Sequence, residues 1–531
     1  AGLVVLVTLI LMGGDLGMFL DVHAFIVIFG GAFAATLIRF PLTSIIIARH
    51  LGPDGFGTYS LLIWLVAVGV ATTNSGTASA AIKFVAELRG AGHLEQIPYV
   101  LSYLRKAQRV FMLFVLAGGA ALFIFAGDHV APGMNHVMLL GFLIVGVVLR
   151  SSYMFNIGVA KGFENFRATA IVALVSTPIN LLLVIAAWQL DAPVEWLLAV
   201  FSLSGIVFYV VSLRQIRPLL PPRRPGVVLP PALRARMGHH MRWTALTVSV
   251  SFLVASEVEV MFLNLYADSH DAGQFKVAYQ LAVGAAALVP GVFGALLLPM
   301  MAGALSQGRE VAARRFVGTT HYLALLATPL MAFGLVFGND VIHLLYGKEY
   351  WAAGPLFSAC LFATCVTTMT QGASSLLVSA DRQRSILVLV VMCGVLKLAL
   401  DAVLIAHYAL VGAVVAYLTV ALVNATAYIS LAIRISHARP AWGALGRVAL
   451  AGALAAALAW PLRGHLVPWA AVVLGGVLLV LSYALFTLVL RCWSRDDIEH
   501  LQLLHRRFAA GRPRAGARLL AWAHARAGEN A

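Results

Sequence analysis

The sequence predicts an all-α polytopic membrane protein of about fourteen transmembrane helices, and three observations predict it. Of 531 residues, 61% are hydrophobic and 11% charged, with a mean hydropathy of +0.91. A soluble domain carries about 45–50% apolar and about 25% charged residues. The apolar residues gather into fourteen runs, most of them near the ~20 residues that cross a bilayer. The basic residues crowd into alternate loops, which is the positive-inside pattern.

Residues 1–13 are apolar but short, Asp15 and Asp21 follow, and no basic residue precedes Arg39. That makes a poor signal peptide, and 1–23 reads as an accessory or interfacial segment. Spans one to six run at 24–48, 57–81, 108–127, 136–160, 168–189 and 195–213. Spans seven to twelve run at 243–265, 277–303, 318–338, 352–379, 385–406 and 411–433, and the last two at 447–462 and 469–490. An even number places both chain ends on one side. The loops on that side, with the tail, hold thirty Lys and Arg, against four (Arg49, Lys276, Lys348 and Arg463) on the other. Both ends are therefore expected in the cytoplasm. The net charge of +15 then needs no nucleic acid to explain it. Cys360, Cys365, Cys393 and Cys492 have neither disulfide nor metal-ligand spacing and read as small buried hydrophobes. No metal is expected.

The longest polar stretch, RQIRPLLPPRRPGVVLPPALRARMGHHMR at 214–242, reads as a cytoplasmic linker between an N-lobe (24–213) and a C-lobe (243–435). Residues 436–490 add two helices outside the lobes, and 491–531 form a basic tail suited to anionic lipid. The halves share landmarks. Gly57 and Gly273, Tyr59 and Phe275, and Gly92 and Gly308 all stand 216 apart. ENFR (164–167) and DRQR (381–384) match at 217, as do Asn180 and Lys397. Both halves start from the cytoplasm, so the repeat is parallel, about an axis along the membrane normal.

Several stretches resemble one family: ARHLGPDGFGTYSLL (48–62), AAIKFVAEL (80–88), LLYGKEYWAAGPLF (344–357), DRQRSILVLVVMCGVLKLALDAVLI (381–405) and YALVGAVVAYL (408–418). They are similar to the polysaccharide-transport family, which contains flippases for undecaprenyl-diphosphate-linked oligosaccharides such as O-antigen repeat units. Its wider multidrug/oligosaccharidyl-lipid/polysaccharide superfamily also holds the lipid II flippase and the multidrug-and-toxin exporters. The resemblance implies two six-helix lobes around a central cavity and alternating access without ATP. It also implies a bacterial inner-membrane location and a place in surface polysaccharide biosynthesis, lipopolysaccharide included. The implied partners are the lipid-linked oligosaccharide, membrane lipids, a polysaccharide polymerase and glycosyltransferases.

Three cations, Arg39, Arg150 and Lys397, lie inside spans, where a charge costs at least about 2.5–3.5 kcal/mol. Arg39 precedes Pro41, which bends a helix, and Arg150 sits about midway along span four. A diphosphate needs charge-assisted donors, and guanidinium supplies them in a planar fork. The resembling lipid II flippase suggests that role for both arginines. The competing reading is an arginine paired with a polar neighbour or reaching to the interface. Lys397 and Asp401 stand four apart on one helical face of span eleven. Glu257 and Glu259 of span seven are two apart, so at most one points straight at that pair. The resemblance favours Glu259. It also implies a sodium site built from an acid in the seventh helix and an Asn-x-x-x-Asp pair in the eleventh. Lys397 stands where that Asn would be, so proton coupling is expected ahead of sodium, with a structural ion pair as the alternative. Asn74, Asn156, Asn180 and Gln371 are candidate sugar contacts, though hydrogen bonding between helices is the commoner use of such residues.

No cofactor is expected. Polymerases and ligases of polysaccharides usually carry catalytic groups in sizeable outer loops. The longest outer loop here, about 339–351, has no paired carboxylates and no nucleophile–base arrangement, and no Walker-type phosphate loop occurs. An enzyme is not expected. The nearer rival is a cation-coupled multidrug exporter of the same superfamily.

Overall fold

The computed structural model describes residues 42–130, 133–223, 225–255, 258–289, 293–380, 382–463 and 466–493, with 498, 499, 521, 522 and 524 beyond. Helices make up its architecture, and no strand occurs among the described residues. Arg39, Glu257, the 1–23 segment and nearly all of the basic tail lie outside them.

The contacts divide the chain into two compact units that do not follow the sequence halves. One takes described residues up to Lys276 together with 390–413; the other takes 277–389 and those from 414 onward. The first is built on α1 (Leu42–Gly90), α2 (Ile97–Val130), α3 (His136–Gly162), α4 (Phe166–Gln189) and α5 (Val194–Ile216). α1 is two helices joined at Gly52, whose φ of 66° belongs to the left-handed region open to glycine, and Pro53 then fixes the first turn of the second. Asn135 caps α3 by accepting from Val137 N at 3.1 Å, and Asn165 caps α4 by accepting from Ala168 N at 3.1 Å. α3 lies close on α1 because Gly158 and Gly162 face it. A methyl at Gly158 would stand 3.0 Å from Ala78 O, and one at Gly162 2.9 Å from Ala81 O. Such small-residue faces let helices pack without a hydrophobic drive from water.

α6 (Pro231–Ala255) begins inside the stretch expected to be a linker. Pro231 suits the first helical position, and Arg236 makes two bonds to Glu87 of α1, at 2.9 and 3.0 Å. Phe84, Leu104, Phe155 and Met237 fill the core where α1, α2, α3 and α6 meet. The short α7 (Val258–Tyr266) also packs on α1 and on a π-helical turn, Asp401–Ile405. This is why span seven and part of span eleven join spans two to six rather than the second half.

The second unit receives α8 (Ser269–Ala286) at Val277 and contains α9 (Phe293–Gln307), α10 (Arg309–Tyr346), α11 (Ala353–Met369) and α12 (Gln371–Ser379). α13 (Gln383–Leu400) runs from this unit into the first, and α14 (Ala406–Ser436) runs back. α15 (Trp442–Ala459) and α16 (Gly476–Val489) close on α10, where Phe337 packs among Ala451, Ala455, Leu479 and Tyr483. Tyr483 Oη donates to Leu325 O at 2.8 Å.

Ten helices among the described residues are long and apolar enough to cross a membrane. They match spans two to six, nine, ten, thirteen and fourteen, and one of 53 residues, Arg384–Ser436, covers eleven and twelve. That helix breaks at Ala409 (φ 45°, ψ −123°), between the expected ends of the two spans. Span one falls mostly outside the described residues, and gaps at 256–257 and 290–292 interrupt spans seven and eight. Leu113, Phe114 and Leu174 are 67–74% exposed, which in water would be an aggregation surface and in a bilayer is the lipid face.

Candidate functional site

The described intramembrane charges form two groups, both in the first unit. The first is centred on Arg150 of α3. Phe201, Ser204 and Phe208 of α5 are spaced by three and four, so they share a helical face. The Arg150 guanidinium carbon lies 4.4 Å from the Phe201 ring centre and 4.6 Å from that of Phe208. Its Nη2 donates to Ser204 Oγ at 3.2 Å, while Nε is buried without a partner. Tyr153, edge-on to Phe208 with ring centres 5.2 Å apart, and Tyr59 complete the surroundings. No acidic side chain pairs with Arg150 among the described residues. Desolvated cation–π contacts are worth about 2 kcal/mol, enough to hold the side chain but not to neutralise it. The fork keeps donors that an anionic oxygen can accept.

The second group is Glu259 of α7, Lys397 of α13 and Asp401, the first residue of the π-helical turn. Glu259 and Asp401 are fully buried, and Lys397 is 3% exposed. Lys397 Nζ stands 2.9 Å from Glu259 Oε1. By distance this is an ion pair, but its angle falls outside hydrogen-bond geometry, so neither carboxylate accepts a well-formed bond among the described residues. Asp401 lies within electrostatic reach of both other groups. Two carboxylates around one ammonium leave an excess negative charge in a dry site, which a proton or a cation would cancel. π-helical turns are frequent at functional sites because they re-aim side chains within a continuous helix. Among the described residues no group of His, Cys, Asp and Glu is arranged to hold a metal.

The amides fall out differently. Asn74 Oδ1 accepts from Gln108 Nε2 at 2.8 Å, and the same Nε2 donates to Ser151 O at 2.9 Å. Asn156 Oδ1 accepts from Arg105 Nη2 at 3.2 Å, and its Nδ2 donates to Ser212 Oγ at 3.0 Å. Both asparagines thus tie helices together. Asn180 of α4 is half-buried, and so is Gln371, which opens α12 in the other unit. Arg105 reads from sequence as a loop cation, yet it reaches Asn156 with its guanidinium 5.4 Å from the Phe155 ring centre. The Phe201–Ser204–Phe208 spacing was visible, but apolar residues at helical spacing are the rule in a span, so nothing marked it as an arginine cage.

The model of a family described as "Polysaccharide biosynthesis protein" matches residues 22–305, more than half of the chain. Among solved structures, the lipid II flippase MurJ in an inward closed conformation aligns with a TM-score of 0.69 at 12% identity, covering 87% of this chain and 98% of that one. An inward-facing multidrug resistance MATE family transporter of the MOP superfamily aligns at 0.59 and 14% identity, covering 76% and 96%. A MATE in complex with MaD3S aligns at 0.53 and 13% identity, covering 82% and 96%. No protein of curated function matches. At such identities the likeness extends to the fold, while the family match rests on the sequence itself: this multi-pass helical membrane protein belongs to the polysaccharide biosynthesis protein family.

Proposed function

We propose that the protein is a flippase, not an enzyme, that moves an undecaprenyl-diphosphate-linked oligosaccharide across the inner membrane by alternating access for surface polysaccharide biosynthesis. The observation that carries this reading is Arg150, an intramembrane guanidinium caged by Phe201 and Phe208 without an acidic partner among the described residues. A diphosphate headgroup supplies the missing anion and matches the fork. Family membership supports a polysaccharide role, and the fold shared with the MurJ flippase supports a lipid-linked cargo. Arg39 is proposed as a second headgroup ligand, and Asn180 and Gln371 as sugar contacts. Glu259, Lys397 and Asp401 are proposed to couple transport to protons, Lys397 serving as a tethered cation where a relative would bind sodium. A polysaccharide polymerase and glycosyltransferases are the proposed partners.

A strain deleted for this gene tests the reading by two measurements made side by side. Surface polysaccharide should disappear, with its lipid-linked precursor accumulating on the cytoplasmic face, while dye efflux is unchanged. Lost dye efflux with normal polysaccharide would favour the multidrug exporter and overturn the proposal.

A further inference from the structure

An apolar groove, open on one side, lies where α10, α14 and α15 meet, and all of its residues belong to the second unit. Phe316, Val317 and Thr320 of α10, Ile429 of α14, and Trp442 and Leu445 of α15 line it. The polar members of the lining are already bonded within the chain. Thr320 Oγ1 donates to Phe316 O at 3.0 Å, and His321 Nε2 donates to Cys492 O at 2.8 Å. What remains on offer is carbon surface, including Trp442, which is 63% exposed. The groove owes its edge to a tight turn. α14 ends at Ser436, and His437 takes a left-handed conformation (φ 55°) of the kind that stops a helix. Ala438 then packs with Phe316 and Ala432 in the core, so Arg439 and Pro440 are set at the groove just before α15 starts.

The rim of the groove is cationic. Arg314 stands three before Val317 and seven before His321, so it shares their face of α10, one turn nearer the helix start. Arg439 adjoins Pro440 on the opposite edge. Both arginines are exposed, and neither makes an ion pair among the described residues. By the partition of basic residues, the start of α10, the end of α14 and the start of α15 are the cytoplasmic ends of their spans. The groove therefore sits where inner-leaflet headgroups meet acyl chains, the level that tryptophan favours. Its occupant must be apolar along its length, anionic at its cytoplasmic end, and present within the bilayer. An anionic phospholipid has all three properties. The chain's own tail fits less well, because residues 491–531 carry eight Arg against four Asp and Glu and share the sign of the rim.

We propose that this groove binds one anionic phospholipid of the inner leaflet, an acyl chain lying along Phe316, Ile429 and Leu445 and the phosphate meeting Arg314 and Arg439. The bound lipid braces α15 against α10 and α14, and it does so whatever the protein carries. The test reads the melting midpoint of the purified full-length protein in detergent as lipid is added. Dioleoylphosphatidylglycerol should raise the midpoint. Dioleoylphosphatidylcholine, with the same chains and no net charge, and inorganic phosphate, with charge and no chains, should not. Arg314→Gln and Arg439→Gln should each weaken the phosphatidylglycerol response about fivefold. Their lipid-free midpoints should match wild type, because neither side chain is buried or paired. An Arg382→Gln/Arg384→Gln variant, altered on another cytoplasmic loop, should respond as wild type does. An equal response to phosphatidylcholine, or an unchanged response in Arg314→Gln/Arg439→Gln, would overturn the proposal. Tighter binding of undecaprenyl phosphate than of phosphatidylglycerol would overturn it by giving the groove to the cargo. A response seen only after residues 500–531 are removed would give the groove to the tail, and one that splits a dimer would give it to a second copy.

Discussion

Arg150 and Lys397 show two ways of keeping a cation within a membrane span. Arg150 is held by ring faces and one hydroxyl, so its charge remains to be met by something outside its cage. Arg150→Ala should abolish glycan export with normal protein in the membrane, and Arg150→Lys should recover little because the fork is lost. Phe208→Leu keeps apolar bulk but removes a ring face, and should cost about 1–2 kcal/mol, read as a lower melting midpoint in detergent. Lys397, by contrast, is answered within the protein by Glu259 and Asp401. Lys397→Met alone strands two buried carboxylates and should lower the yield of folded protein more than Lys397→Met with Asp401→Asn. Equal losses would show that the three groups do not act as one cluster. In proteoliposomes, transport should follow a pH gradient and ignore a sodium gradient of equal size. The three cluster residues were legible because a charge in an apolar run stands out against its neighbours. Arg105 and Gln108 were not, since at the edge of a run a polar residue looks like loop, and their partners lie on other helices.

Helix α6 ties the expected linker to α1, and one histidine makes that contact sensitive to acid. His240 faces Ser79 Oγ at 3.3 Å and Thr244 Oγ1 at 3.4 Å, edge-on to Phe84 with ring centres 5.8 Å apart. Burial, and then the Lys83 ammonium, hold its imidazole below the usual histidine range. The unfolded chain takes up this proton near pH ~6.5, while the folded chain resists it until lower pH. Stability from the contact is therefore present above the unfolded value and lost as pH falls through the folded one. Wild type should melt earlier at about pH 5.5 than at about pH 7.5, and His240→Gln should flatten that difference. The start of α6 was missed because a Pro- and Arg-rich stretch reads as linker, whereas Pro231 opens the helix and Arg236 docks it on Glu87. The breaks at Gly52 and Ala409 fall between apolar runs, which locate a span but not the angle at which the chain leaves it.

For the whole molecule, spans two to six and nine to fourteen were readable because hydrocarbon offers the backbone no hydrogen-bond partner, which forces each crossing into a helix with an apolar exterior. The grouping of those helices was not readable, because lipid and neighbouring helices are equally apolar and the choice rests on close approaches such as Gly158 on Ala78. The sidedness is testable directly. Reporter fusions at Gly226, in an exposed turn with φ 90°, and at Ala531 should both report cytoplasm. A periplasmic signal at either would overturn this topology.

A methyl at Gly57 would run into the carbonyl oxygen of Ser269 and one at Gly273 into that of Pro53, and this reciprocal contact between the second part of α1 and α8 has a consequence for the genetics of this protein. Either glycine, replaced by alanine, separates the same two backbones, and the second replacement then enters space that the first has already made. The two substitutions should therefore be strongly sub-additive, the double variant little worse than the poorer single, whereas distant independent sites simply add. A second-site screen begun from Gly57→Ala should find position 273 permissive, although in the wild type a methyl there would overlap the Pro53 carbonyl oxygen.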